Sequence, residues 1–130
     1  MDTNVAIYLR DGDPTIVSRI AQLEAMPALS ILSRIELEGG VFRDPAHARQ
    51  RRAALDALVA ATETIEFLKP MIAVYTRIVE QLGYSRPKAI DRMIAATAIA
   101  QRLTLITING DDFRSIPDLK LEIWANPADQ

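Results

Sequence analysis

The chain has 130 residues, about half of them hydrophobic and a quarter charged, a balance that supports one globular domain and excludes disorder. Its net charge is −2, so the molecule as a whole does not attract polyanions, and without cysteine it has no disulfide, thiolate zinc site or thiol nucleophile. No apolar run approaches the ~20 residues of a membrane-spanning helix and no basic-then-apolar leader opens the sequence, so a soluble, cytoplasmic protein with no membrane partner is expected.

In chain order, the polar cluster Asp2-Thr3-Asn4 precedes Val5–Leu9 and predicts a short capped helix. Asp13-Pro14, a cap followed by a first-turn proline, opens a helix through Ile16, Ile20 and Leu23. Ala28 to Leu32 has the length and apolarity of a strand. Ser33 is expected to cap a helix carrying Ile35, Glu36 and Leu37, stopped or bent at Gly39-Gly40. Asp44-Pro45 repeats the cap-plus-proline signal before an arginine- and alanine-rich helix ending near Ala61. A second strand-like run follows at Thr64 to Leu68. Pro70 opens a helix through Val74, Ile78 and Leu82, ended by Gly83, and Tyr84 to Pro87 reads as a loop. An alanine-rich helix is predicted over Lys88 to Arg102, the clearest strand over Leu103 to Ile108, and a last one over Leu121 to Trp124.

Short apolar strands alternating with helices predict an α/β fold, a single domain with a mostly parallel central sheet flanked by helices. In right-handed βαβ units every strand ends, and every following helix begins, at one edge of the sheet. Asp2, Glu36, Asp91, Asn109 and Asp112 each fall at a strand end or in a first helical turn, so all five are expected at that edge. Carboxylates that converge repel one another unless a cation lies between them, which makes a metal site the leading reading. Taken singly, each acid also reads as a helix cap or a complement to a helix dipole, but capping does not require several caps to meet. Oxygen ligands, no cysteine and a single histidine point to Mg²⁺ or Mn²⁺ rather than zinc. His47, in an arginine-rich stretch, reads as a surface residue, and Trp124 as a partly buried core anchor. Arg86, Lys88 and Arg92 cluster near the acids, either as phosphate contacts or as an ordinary solvated face.

Four segments together resemble the PIN-domain proteins, specifically the VapC-type toxin ribonucleases of bacterial type II toxin–antitoxin pairs. They are Asp2-Thr3-Asn4; Ser30 to Gly40; Ile90 to Ala98 (Ile-Asp-Arg-Met-Ile-Ala-Ala-Thr-Ala); and Thr107 to Phe113 with Ile116-Pro117-Asp118-Leu119. Each is weak alone, but in order and spacing they span nearly all of residues 1–130. The resemblance implies that Asp2, Glu36 and Asp91 are the first three acidic positions, with Asp112 ranked above Asn109, and Asp111 below both, for the fourth. It implies supporting roles for Ser33 near the metal and for Thr3 and Asn4 in orienting Asp2. One departure is that only Met1 precedes Asp2, where relatives carry several apolar residues of a central strand. Either that first strand is nearly absent, which would set a charged amine beside Asp2, or the true start lies upstream.

The implied chemistry is hydrolysis of RNA phosphodiesters. Asp2, Asp91 and Asp112 hold one or two Mg²⁺ (or Mn²⁺) ions, and Glu36 positions or deprotonates the attacking water. The implied partners are RNA, a VapB-like antitoxin and a second copy of the chain. Two alternatives stay open: an inactive PIN-like binding module, and a Mg²⁺-dependent hydrolase of small phosphoesters. A phosphoaspartate mechanism is disfavoured because Asn4 stands where it would want a second Asp, and no glycine-rich phosphate loop is present.

Overall fold

The computed structural model describes residues 1–129. Six helices are formed by Thr3–Arg10 (α1), Pro14–Ala21 (α2), Ile31–Val41 (α3), Ala48–Ala61 (α4), Lys69–Leu82 (α5) and Ala89–Ala100 (α6). Four short strands, Leu29–Ser30 (β1), Thr64–Ile65 (β2), Leu105–Thr107 (β3) and Leu121–Ile123 (β4), lie among them. The strand-like runs of the sequence thus shrink to two or three paired residues each.

The local signals act as chemistry requires. Asp2 and Asp13 accept hydrogen bonds from Val5 N and Ile16 N, so each carboxylate satisfies a first-turn donor that has no partner within its helix. Asp44 does the same for Ala46 N, but Pro45–His47 form a turn of 3₁₀ helix before α4 begins. Two boundaries differ from expectation. Ser30, not Ser33, caps α3, donated to by Leu32 N, so the helix starts earlier and Ser33 is buried inside it. Gly39-Gly40 do not stop α3, which runs to Val41. Gly83 does end α5, at φ +82°, where a side chain would clash with its own backbone.

Both strand pairs are parallel, β1 and β2 joined through α3 and α4, β3 and β4 through the segment that carries the turn Gly110–Asp112. They do not join into one sheet: β1 pairs with β2 and β3 pairs with β4. Met1 and Asp2 bridge them. The Met1 amine donates to Ala28 O at 3.0 Å beside β1, and Asp2 N donates to Ile106 O at 2.9 Å in β3. Side chains of β3 alternate between two cores, Leu105 toward one and Ile106 toward the other. One core joins α1 to α4 through Val5, Ile16, Leu37 and Leu55 and includes Trp124, 3% exposed. The other joins α5 and α6 through Ile78, Ile94 and Phe113, the small side chains of Ala95 and Ala96 letting the helices pack closely. Among the described residues no helix is long and apolar enough to cross a membrane.

Candidate active site

Asp2 stands where α1 begins, between β1 and β3, and is 3% exposed. Its two carboxylate oxygens are both engaged. Oδ1 accepts from Val5 N at 3.0 Å, and Oδ2 accepts from Thr107 Oγ1 at 2.6 Å. Thr107, fully buried on β3, also accepts from Asn109 N at 2.9 Å, so one hydroxyl ties the first acid to the turn that carries Asn109 and Asp112. Burial pushes the Asp2 carboxyl above its ordinary range, against the pull of these hydrogen bonds.

Glu36 lies in the second turn of α3, since the helix starts at Ile31, and not in the first turn as the sequence suggested. Its side chain is solvent-exposed and its Oε1 accepts from Thr3 Oγ1 at 2.6 Å. Thr3 Oγ1 also stands 2.8 Å from Ser33 Oγ; its single proton serves Glu36, so it accepts from Ser33. A relay Ser33–Thr3–Glu36 results, which corrects the expected role of Thr3. It holds the second acid, while Thr107 and Val5 N hold the first. Asn4 is exposed and does not orient Asp2.

Asp91 occupies the first turn of α6, as the sequence predicted. Its carboxyl is pushed up to about 6, first by burial and then by the charges of Asp112, Glu36 and Asp2. Asp2, Glu36 and Asp112, from α1, α3 and the turn after β3, thus lie near enough for their charges to act on Asp91 of α6. Asp112 is exposed at the end of a 3₁₀ turn (Gly110–Asp112), and Asn109, half-buried, opens that turn. A β-carbon at Gly110, between them, would stand 2.7 Å from Ile123 Cδ1, the end of a side chain that would have to shift. Asp111 turns outward to an ion pair with Arg114.

The basic cluster divides. Arg86 and Lys88 are exposed on the loop into α6, available to a polyanion. Arg92 is buried, 5% exposed, and its Nη1 donates to Gly83 O at 2.6 Å, closing the end of α5. It is not a phosphate contact. A guanidinium that looks like surface charge in sequence is a helix cap in the fold. His47 is exposed beside Asp44, 2.6 Å away, near Arg10 and Asp11 at the far end of α1 from Asp2.

The donor set is all oxygen, which suits a hard divalent cation. Among the described residues no three acidic or histidine side chains already stand close enough to grip an ion. Mg²⁺ keeps several of its waters and needs only one or two direct carboxylates, so the residues present fit such an ion through its water shell. Asp91 and Asp112, whose carboxylates take no hydrogen bond among the described residues, would be the first to hold it, and Asp2, which caps α1, the next.

A family model described as "PIN domain" matches residues 1–119. The chain belongs to the PIN-domain family. Within it, the chain falls among the VapC-type toxins: it is 31% identical to the ribonuclease VapC2 of Rickettsia felis, over 95% of this chain and 96% of the relative. The crystal structure of VapBC2 from Rickettsia felis bound to a DNA fragment from its promoter aligns at TM-score 0.82 and 28% identity, over 95% of this chain and 96% of that one. VapBC-1 from nontypeable Haemophilus influenzae aligns at TM-score 0.75 and 27% identity, over 95% of each chain.

Proposed function

We propose that this protein is a Mg²⁺-dependent ribonuclease, the toxin of a VapBC-type pair. The observation that carries this reading is the convergence of Asp2, Glu36 and Asp112 on Asp91, from four separate elements. Packing does not require four carboxylates to share one place, and their mutual repulsion disfavours it without a cation. The kinship to a VapC ribonuclease and to VapBC complexes supports RNA as substrate and a VapB-like antitoxin as partner. The family resemblance adds a second copy of the chain.

Asp91, Asp112 and Asp2 would hold the metal, with Mn²⁺ able to substitute. When bound, the ion supplies Lewis acidity, lowering the pKa of a water and offsetting charge on phosphoryl oxygens. Glu36, exposed and held by Thr3, would orient and deprotonate the attacking water. Thr107 keeps Asp2 in a single rotamer, so that the site does not reorganise as charge develops. Arg86 and Lys88 supply backbone phosphate contacts, which position RNA without reading its sequence.

The test is cleavage of an RNA pool in Mg²⁺ or Mn²⁺ by the wild-type protein, by Asp91→Asn, and by wild type in EDTA, with circular dichroism confirming each fold. Cleavage lost in the second and third arms is the expected result. Equal cutting by Asp91→Asn would assign the activity elsewhere. A folded protein that cuts no RNA and binds no Mg²⁺ would favour the binding-module reading, and cleavage of small phosphoesters alone the other alternative.

A further inference from the structure

A cavity of about 520 Å³ opens between the 3₁₀ turn Gly110–Asp112 and the chain that follows β4. Asp112 lines it, so it adjoins the edge that carries the acids. Its volume lies within the range of about 300–1,000 Å³ that small organic ligands occupy. Part of its wall is apolar, formed by Trp124 and by Ile123, which is 43% exposed. Most of the rest is polar.

The polar groups differ in what they still offer a ligand. Asp111 and Arg114 are taken up by each other in an ion pair. Asn126 Oδ1 accepts from Ala128 N at 2.9 Å, which fixes the amide and leaves its NH₂ as a donor. Asp129 N donates to Asn126 O at 3.0 Å, so one 3₁₀ turn (Pro127–Asp129) carries the Asp129 carboxylate close to that amide. Among the described residues no hydrogen bond or ion pair takes up the Asp129 carboxylate. Three carboxylates against one guanidinium make the cavity negative, which repels a phosphate and favours an uncharged ligand rich in N–H donors. Among the RNA bases only guanine has two adjacent N–H donors, N1–H and N2–H₂, on one edge, where a carboxylate accepts both in parallel. Its O6 acceptor stands beside them, suited to an amide NH₂.

We propose that this cavity is a guanine site, which takes the base of a nucleotide next to the bond to be cut and selects RNA by it. Asp129 accepts from N1–H and N2–H₂, Asn126 donates to O6, and the ring lies against Ile123 and the edge of Trp124. The site's place in RNA cleavage rests on the ribonuclease reading above; its preference among bases does not.

Trp124 is the only tryptophan of the chain, so its fluorescence reports a ligand entering the cavity. Wild type, Asp129→Asn and Asn126→Asp are titrated without metal with GMP, IMP, AMP, CMP and UMP, whose phosphates are alike and whose bases differ. GMP should bind about tenfold tighter than AMP, CMP or UMP, with IMP, which lacks the 2-amino group, in between. Asp129→Asn should erase the advantage of GMP over IMP. Asn126→Asp keeps the oxygen that caps Ala128 but loses the donor, and should weaken GMP and IMP alike. In Mg²⁺, cuts in an RNA pool should fall beside guanosine and lose that bias in Asp129→Asn. Equal binding of all five nucleotides would overturn the proposal whether or not RNA is cut, as would a GMP preference unchanged in Asp129→Asn. A protein that selects GMP through Asp129 yet cuts no RNA would keep the guanine site and lose the nuclease reading instead.

Discussion

Asp91 sets an opposition between stability and function. Its folded-state pKa of about 6 exceeds the ordinary 3.8, so the fold favours its protonated form. The stability this gives is complete below pH 4 and is lost as pH rises through about 6. Ionised Asp91 costs about 1 kcal/mol at neutral pH, once solvent screening of a half-exposed group is allowed for. Asp91→Asn is therefore expected to unfold at higher urea than wild type at pH 7.5 without metal, the difference vanishing toward pH 4, while cleavage is abolished. Thr107 works in the other direction. Thr107→Val leaves Asp2 Oδ2 buried without its donor, which costs about 1–3 kcal/mol and weakens Mg²⁺ binding, and Thr107→Ser restores both. Urea melts and a Mg²⁺ titration read these outcomes. An unchanged Mg²⁺ affinity in the valine variant would reduce Thr107 to a packing residue.

At the scale of elements, the loop and first turn of α6 carry two kinds of positive charge. Arg86 and Lys88 face water, whereas Arg92 reaches back to Gly83 and caps α5. Replacing Arg86 and Lys88 by Ala should lower RNA affinity and flatten its dependence on salt, each lost phosphate contact reducing the slope by about 0.7. Arg92→Met should leave that slope alone and lower Tm instead, because a backbone carbonyl loses its partner. Filter binding over a salt series, alongside thermal melts, separates the two. The sequence reads these three residues as one cluster because spacing along the chain carries no information about which side chain is buried. The same limit hid Thr107, an ordinary strand threonine until β3 is docked beside α1. The shift of the α3 cap from Ser33 to Ser30 has a related cause: β1 pairs only two residues, so the helix can begin three earlier.

At the scale of the molecule, the proposed metal binding would couple to folding through the edge that carries the acids. A cation that relieves repulsion among Asp2, Glu36, Asp91 and Asp112 binds the folded chain in preference to the unfolded one. At about a hundred times its dissociation constant, Mg²⁺ should contribute about 2.7 kcal/mol. We expect that gain as a rise in Tm at pH 7.5, smaller at pH 5.5 where protons compete for Asp91, and largely absent in Asp91→Asn. A metal-independent Tm at pH 7.5 would count against the site.

The sequence by itself determined the order of helices and parallel strands, the caps at Asp2, Asp13 and Asp44, and the stop at Gly83. These are local or topological matters: a cap acts within a few residues, and right-handed crossovers send strand ends to a common side whatever the packing. Only the tertiary structure decided that Thr107 holds Asp2, that Thr3 serves Glu36, that Arg92 is interior, and that the sheet parts into two pairs around Met1. Each of those depends on contacts between segments thirty to a hundred residues apart, or on burial, and neither is written in the neighbourhood of a residue along the chain.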